Sequence, residues 1–465
     1  MSEREFDVVV LGAGPAGEVC AGRLGEYGLS VAIVERHLVG GECSFYACMP
    51  SKALLRPGEL LAEVRRIPGV REAVTGGLDV GAVLERRDEI IHNLDDKHME
   101  PWLADRGVTL VRGSGRFDGE RRVVVGDETL TAGRAVVVAT GSGPAMPPVE
   151  GLEDAKPWTN EEATTAKRPP GRLTILGGGV VGVEMAQAWR SLGSQVTLIE
   201  RGDRLIPREE PFASDQVEEA LRESGVDVRK GAGAVAVRAH DGEVDVELDS
   251  GESIPGDELL VAIGRRPNTV ELGVETIGLE PGKTIEVDDW MRATGSDWLY
   301  AIGDVNGRAL LTHMGKYQAR IAADTILGAG GPCLILDGAR APRVIFTDPQ
   351  VAAVGYTLDA AQEAGLNARA VEVPTQGSAG ASFYGRDEAR GTTRLVVDED
   401  AGVLVGATFT GPEIAEFLQA ATIAVVGEVP LERLAHAVPA FPTRSEVWLY
   451  LMEQLGLSGP CQREG

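Results

Sequence analysis

Long apolar runs are missing from this chain. Nowhere in its 465 residues do about 18 apolar side chains follow one another, so no membrane-spanning helix is expected. A leader is not expected either: residues 6–11 already read as a first core strand, after only five mostly polar residues. Basic residues are outnumbered, 45 Lys and Arg against 71 Asp and Glu, for a formal net charge of −26. Such a surface repels phosphate backbones and anionic lipid, which argues against nucleic acid and membrane as partners. A soluble cytoplasmic protein is expected. Cysteine is sparse as well. Cys20, Cys43, Cys48, Cys333 and Cys461 form an odd set in a chain long enough to build its own core, so no structural disulfide framework is expected. The close pair, Cys43 and Cys48, lacks the two further ligands a zinc site needs, since His37 is the only one nearby. No metal site is expected.

Glycine is what the chain has in quantity, 60 residues, which suits a fold rich in strand-to-helix turns. One pattern occurs twice. An apolar strand from residue 7 runs into Gly12-x-Gly14-x-x-Gly17, and a second apolar strand, 30–35, ends at Glu35. Later, a strand from residue 173 runs into Gly177-x-Gly179-x-x-Gly182, and the strand 195–200 ends at Glu200. First glycine and acid are 23 residues apart in both copies. The first glycine makes the tight turn, the second admits a pyrophosphate to the helix N-terminal amides, and the third lets helix and strand pack closely. The acid accepts hydrogen bonds from an adenosine ribose. A single copy is weak; two in the same strand–turn–helix–strand context imply two dinucleotides. Glu200 favours NAD(H), because a carboxylate repels the 2′-phosphate of NADP(H); Arg201 and Arg204 just beyond it leave NADP(H) open.

Short apolar runs ending at glycine, 134–141 and 258–264, suit strands buried on both faces of a sheet. Residues 123–125 and 244–248 suggest β-meanders inserted into the two units. Past about residue 340 the character changes. A strand at 344–346, a helix over 358–365, a hairpin of 394–397 with 403–408, and helices over 413–426 and 445–455 predict an α+β unit.

Between Glu35 and the next helix lies Val39-Gly-Gly-Glu-Cys43-Ser-Phe-Tyr-Ala-Cys48-Met-Pro-Ser-Lys52. Two cysteines five positions apart on a helical turn can bring their sulfurs together, and helix N-terminal amides with a nearby cation favour a thiolate in one of them. The segment resembles the active-site signature of the pyridine nucleotide–disulfide oxidoreductases, the family of dihydrolipoamide dehydrogenase, glutathione reductase and mercuric reductase. Further segments carry the resemblance along the chain: Ala139-Thr-Gly141, Trp298-Leu-Tyr-Ala-Ile-Gly-Asp304, Leu311-Thr-His313, and the stretch from Phe346 to Gly355.

The resemblance implies two Rossmann-like domains, for FAD and NAD(P), and a C-terminal α+β dimerisation domain. Expected boundaries are 1–148 for the first part of the FAD domain, 149–269 for the NAD(P) domain, 270–338 for the second FAD part, and 339–465 for dimerisation. It implies that Cys48 lies against the flavin and Cys43 exchanges with substrate, that Lys52 sits near the flavin N5 edge, and that Glu184 pairs with Lys52. The cofactor-binding set it implies is Gly12, Gly14, Gly17, Glu35, Gly41, Lys52, Gly115, Thr140, Gly141, Asp304 and Thr312, with Gly177, Gly179, Gly182, Glu200 and Gly264. It implies a homodimer, because the family builds each active site from two subunits.

One motif departs from the family. Its disulfide reductases carry His-Pro-Thr-x-Ser-Glu near the C-terminus, the histidine serving the partner's interchange thiol as proton donor and acceptor. This chain reads Phe441-Pro-Thr-Arg-Ser-Glu446, and His436 is its nearest histidine. Losing such a group costs roughly 10²–10⁴-fold in rate. The expectation is an FAD-dependent NAD(P)H oxidoreductase whose dithiol serves a disulfide or another soft acceptor. Phe441 facing Phe45 or Tyr46 would give an apolar pocket there. The alternatives are a metal-ion or quinone reductase and, less in keeping with Lys52 and Glu446, a relative of ketopropyl-coenzyme M carboxylase, which has phenylalanine in place of the histidine. Mercuric reductases have tyrosine there and a cysteine pair in the C-terminal tail, where this chain has Cys461 alone. A vestigial, non-enzymatic flavin subunit is at odds with both cysteines, Lys52 and both nucleotide folds being present.

Overall fold

Residues 8–11 and 31–34 carry apolar side chains on both faces, and the chain buries both runs in the middle of one sheet. Strands Ser2–Leu11 and Val31–Glu35 pair in parallel, Val8 with Val31 through Leu11 with Val34. The computed structural model of the protein describes residues 2–330, 336–384 and 390–457; Cys333 and Cys461 lie outside these. Across the first sheet the strand order is Val108–Arg112, Val31–Glu35, Ser2–Leu11, Glu128–Val138, Arg122–Val125, Gly115–Phe117. The short strand Leu299–Ala301 returns from far along the chain to pair in parallel with Glu128–Val138. It brings with it helix Thr312–Leu327, which packs on helix Pro15–Glu26. The first unit is therefore completed only after the second has been built.

That second unit has a parallel sheet ordered Asp227–Lys230, Gln195–Glu200, Arg172–Leu176, Glu258–Val261, with an antiparallel meander of Ala234–His240, Glu243–Leu248 and Ser253–Gly256. The chain crosses between the units twice, and the two crossings, Ser142–Pro144 and Arg265–Pro267, pair with each other. A five-stranded antiparallel sheet follows, ordered Arg343–Ile345, Gln350–Gly355, Val403–Gly411, Thr392–Asp398, Ala368–Pro374, with helices Leu418–Val426 and Val447–Gln454 against it. Two Rossmann-type domains and a C-terminal α+β domain make up the fold. None of the described helices is long and apolar enough to cross a membrane.

The duplicated turns have the same geometry. Gly12 and Gly177 adopt φ of +100° and +108°, where a side chain is strained. A Cβ on Gly17 would sit 1.9 Å from the Gly12 carbonyl oxygen, and one on Gly182 would sit 1.8 Å from that of Gly177. The third glycine of each motif is thus fixed by helix–strand contact.

Two local expectations are corrected. The helix expected over 413–426 does not start at its first residue. Glu413 is left-handed at φ 49°, a 3-10 turn covers Ile414–Phe417, and the α-helix begins at Leu418. The Gln350 side chain receives the Ala415 amide there, satisfying a donor that a continuous helix would use otherwise. The two cysteines do not share a helical turn. Helix Gly41–Phe45 ends, Tyr46 and Ala47 leave helical geometry, and a new helix starts at Cys48.

In the first turn after the first glycine motif, Glu18 is buried among apolar neighbours, and its Oε1 has no hydrogen-bond partner. Burial carries its carboxyl up to about 7, relieved only in part by Lys316 and reinforced by the negative charge of Glu35. The folded protein keeps a proton there that an unfolded chain, with an ordinary value of 4.5, gives up. Stability therefore falls as pH rises through that window. Glu18→Gln should raise the thermal midpoint by a few degrees at pH 8 and leave it nearly unchanged at pH 4.5; equal shifts at both would show that Glu18 is not a buried acid.

Candidate active site

The break at Tyr46–Ala47 gives Cys48 its chemistry. The Tyr46 carbonyl is pinned by Asn160 Nδ2 at 2.9 Å and Thr164 Oγ1 at 3.1 Å, so the chain turns sharply and the 19-residue helix Cys48–Arg66 begins at the second cysteine. Its free N-terminal amides and positive dipole end favour a thiolate. A second long helix, Thr312–Leu327, also begins at the sulfurs. Its first hydroxyl, Thr312 Oγ1, donates to Cys43 Sγ at 2.9 Å and lies 3.4 Å from Cys48 Sγ. Lys52 follows Cys48 by one helical turn, on the same face.

These groups divide the charge between the two thiols. The Cys48 thiol is held below its ordinary value by hydrogen bonding from Cys43, then by Thr312 and Lys52, against burial and Glu184. The Cys43 thiol is pushed up, first because it shares its proton with Cys48 and then by burial. One proton and one negative charge are shared, with the charge on Cys48. Cys20, by contrast, is fully buried, and burial alone pushes its thiol up to about 12. It is inert packing.

Behind Lys52 stands Glu184, two residues past Gly182 in helix Val180–Ser191 and almost wholly buried. Its Oε2 is 2.7 Å from Lys52 Nζ, and its Oε1 accepts the Phe346 amide at 2.9 Å. Lys52 also lies 5.0 Å from the Phe346 ring centroid. One carboxylate thus links the active-site helix, the second nucleotide unit and the third domain.

The nucleotide cradles are duplicated down to the acids. Glu35 accepts the Ala13 amide at 2.8 Å and the His37 amide at 2.7 Å; Glu200 accepts the Gly178 and Gly202 amides, both at 2.6 Å. The residues fit the dinucleotides the fold implies. A Cβ on Gly14 would meet nothing closer than Gly41 Cα at 4.0 Å, and one on Gly179 would meet nothing within 4 Å, so the backbone is open to a phosphate at both. Gly41 (φ 62°) must stay small because its Cβ would sit 2.8 Å from Gly14 Cα. Thr140 and Asn268 bond reciprocally, each at 2.9 Å, and hold the Gly141 turn. Gly264 lies where the chain crosses back, its carbonyl accepting the Ala145 amide at 3.0 Å. Gly115 packs against Leu11 and Val34 at the strand ends.

Asp304 accepts the Ser142 hydroxyl at 2.6 Å, and burial raises its carboxyl. Arg265 reaches into the same place, donating to Ser142 Oγ at 2.6 Å and pairing closely with Glu42. This Glu42–Arg265–Ser142 network was missed among the candidate residues. The only local signal for it is a carboxylate directly before Cys43 and an arginine directly after Gly264.

Phe441 and Glu446 lie elsewhere. Phe441 is 77% exposed on the third domain, and Glu446, buried, accepts the Gly380 amide at 2.9 Å. Among the described residues no hydrogen bond or ring contact joins either to Cys43 or Cys48. Of the two aromatics expected to face Phe441, Phe45 is a core side chain, 1% exposed, whereas Tyr46 is half-buried.

Family comparison agrees with this geometry. The model of the pyridine nucleotide-disulphide oxidoreductases matches residues 6–322, and that of their dimerisation domain matches 341–451. The chain belongs to this family. It is 31% identical over 453 residues to a mercuric reductase of Lysinibacillus sphaericus, spanning 96% of this chain and 82% of that protein. It is 33% identical over 458 residues to dihydrolipoyl dehydrogenase 3 of Pseudomonas aeruginosa, spanning 95% and 96%. Among solved structures, the Cu(II) complex of the HOCl-induced flavoprotein disulfide reductase RclA of Escherichia coli superposes with a TM-score of 0.85. There the identity is 26%, with 97% of this chain and 99% of that one covered. This oxidoreductase uses FAD and NAD(P)H, and its Cys43/Cys48 pair fits a redox-active dithiol.

Thr312→Val should lower alkylation of the reduced pair by iodoacetamide up to about tenfold at pH 7, since the hydroxyl that bridges the two sulfurs and holds the Cys48 thiol down is lost. The Cys48 value is depressed, so reactivity is lost as pH falls through it, and the variant's profile should move to higher pH. Thr312→Ser should restore it. An unmoved profile in Thr312→Val would show that the hydroxyl does not act on the sulfurs.

Proposed function

We propose that the protein carries two electrons from NADH to the Cys43/Cys48 pair, and that Cys43 delivers them to a disulfide or another soft acceptor. The observation that carries this is the Thr312 hydroxyl set between the two sulfurs, with the Lys52–Glu184 pair behind Cys48. Glycines 12, 14, 17 and 41, with Glu35, Thr140, Gly141 and Asp304, would hold FAD, aided by Gly115 and the start of helix Thr312–Leu327. Gly177, Gly179, Gly182, Glu200 and Gly264 would hold the nicotinamide nucleotide, NADH ahead of NADPH because Glu200 has no cation within ion-pair distance among the described residues. When bound, FAD supplies the two-electron transfer between nicotinamide and sulfur.

The residues then handle protons. In the reduced pair Cys48 bears the charge and Cys43 the proton. As Cys43 passes its proton to Cys48, its sulfur attacks the acceptor disulfide and one thiolate leaves. Cys48 gives that proton to the first departing thiolate and attacks Cys43 Sγ, the second thiolate leaves, and the Cys43–Cys48 disulfide closes. The second departing thiolate needs a proton that a histidine would supply in relatives; Phe441 has none to give. Acceptors whose product stays a thiolate or metal-bound are favoured accordingly.

Homodimerisation fits the exposed side chains of the third domain, where Phe383, Ile423, Val438 and Phe441 are 60–77% exposed. Domain boundaries near 148, 269 and 338 and a cytoplasmic location, where thiols stay reduced, complete the reading. A second reading, reduction of a soft metal ion, is favoured by Phe441 and by relatives described as mercuric reductases and as a Cu(II)-complexed reductase.

Steady-state rates with lipoamide, glutathione disulfide, coenzyme A disulfide, Hg²⁺ and quinones separate the readings. Phe441→His should raise disulfide reduction by at least about tenfold, given the 10²–10⁴-fold contribution of such a group. Replacing both cysteines with serine should abolish disulfide and metal-ion turnover. Full acceptor turnover in the double variant would contradict the dithiol route, and undetectable disulfide reduction even in Phe441→His would favour the metal ion.

A further inference from the structure

Helix Val80–Ile90 packs against helix Cys48–Arg66, and its Leu84 shares a hydrophobic cluster with Leu54 and Leu55. From its inner side comes Arg87, a guanidinium at 0% exposure. A charge buried so deeply is costly unless its donors are matched. They are matched chiefly at one place, the C-terminal end of the short helix Asn160–Thr165. One terminal nitrogen donates to the Thr164 carbonyl, and the other to the carbonyls of Ala166 at 2.8 Å and Thr165 at 3.3 Å. Nε meets Asp88 at 2.9 Å, and Trp189 Nε1 donates to the Ala163 carbonyl at 3.1 Å. Carbonyls at a helix end lack partners inside the helix. Four consecutive ones are held here by side chains from two other helices.

The same short helix touches the dithiol loop. Asn160, 6% exposed, donates from Nδ2 to the Tyr46 carbonyl at 2.9 Å, and its Oδ1 receives Arg265 at 3.4 Å. The Thr164 hydroxyl lies between the Tyr46 and Asn160 carbonyls, at 3.1 and 2.8 Å. Pro50, four residues after Tyr46, has no N–H to offer that carbonyl, which therefore depends on this helix for its partners. A helix of six residues is too short to be stable alone. Its N-terminal end is closed by its own Thr159–Glu162 capping box, and its C-terminal end is given to Arg87.

We propose that Arg87 is a positioning residue for the dithiol: by clasping the end of helix Asn160–Thr165 it fixes the Tyr46 carbonyl, and with it the start of helix Cys48–Arg66. Among the described residues no hydrogen bond or ion pair joins Arg87 to either cysteine. Its effect runs through two sets of hydrogen bonds, guanidinium to helix end and Asn160 to Tyr46. An uncharged side chain at position 87 would leave the carbonyls of residues 164–166 without their donors. The short helix would then shift, and the free amides that open the Cys48 helix would lose their aim on the sulfur. The inference rests on the reading that a Cys48 thiolate carries the chemistry, and it stands whichever acceptor the dithiol serves.

The test is the pH profile of iodoacetamide alkylation of the reduced, FAD-loaded enzyme, which needs no acceptor. Arg87→Met should move the profile to higher pH and slow alkylation at pH 7 about fivefold, the scale of weakened hydrogen bonding to a charged group. Arg87→Lys, which keeps the charge but not the planar fork, should slow it about twofold. Asn160→Ala leaves every Arg87 contact in place and should move the profile as Arg87→Met does. Adding Arg87→Lys to Asn160→Ala should then bring no further loss, because both act on the same carbonyl. A lower thermal midpoint in Arg87→Met with the profile unmoved would make Arg87 a structural clasp only and overturn the proposal. So would losses at 87 and 160 that multiply as independent effects do. Should Arg87→Met fail to fold, an unmoved profile in Arg87→Lys overturns it equally. A wild-type profile at the ordinary thiol value would sink the Cys48-thiolate reading, and the inference with it.

Discussion

The Glu184 carboxylate is the contact on which the site's arrangement depends. It is buried, it bonds Lys52 with one oxygen and the Phe346 amide with the other, and those partners belong to different domains. Removing Lys52 would leave an almost wholly buried carboxylate without its counter-charge, which is destabilising even though Lys52 itself is a third exposed. That cost would fall on domain placement as well. The ammonium so fixed stands one helical turn from Cys48 and helps hold its thiolate, so the domain contact and the sulfur chemistry share one ion pair.

Around the sulfurs the chain concentrates positive potential with helix N-termini and an ammonium. Two long helices begin there, at Cys48 and at Thr312, and their N-terminal amides act with Lys52 on the same thiolate. This arrangement makes a stable resting thiolate and leaves a shortage of mobile protons. On the proposed function, Phe441 in place of the histidine of the disulfide reductases deepens the shortage. The charge distribution and the C-terminal substitution are the two features on which the proposed preference for acceptors needing electrons more than protons rests.

What could be read from the sequence was what depends on neighbours in the chain. The two glycine motifs were legible because a positive φ and a helix–strand contact are local demands, and only glycine at 12, 17, 177 and 182 meets them. The Lys52–Glu184 pair spans 132 residues and was reachable only through family resemblance. The Thr312 hydroxyl on Cys43, 269 positions away, and the Arg265–Glu42 pair, 223 apart, had no local signature. The helix break at Tyr46–Ala47 was hidden for a related reason: distant Asn160 and Thr164 capture the Tyr46 carbonyl. Burial of Phe45 likewise follows from the packed fold, and its position beside the cysteines gave no hint of it.

The central claim is that Cys43 and Cys48 together accept the electron pair from nicotinamide. Its most direct test counts thiols on the FAD-loaded enzyme by mass spectrometry after iodoacetamide, before and after anaerobic addition of NADH. The account predicts that the air-oxidised protein gains two adducts per chain on reduction, one on each of these cysteines, while buried Cys20 stays unlabelled. No gain in label, or a gain confined to other cysteines, would contradict it.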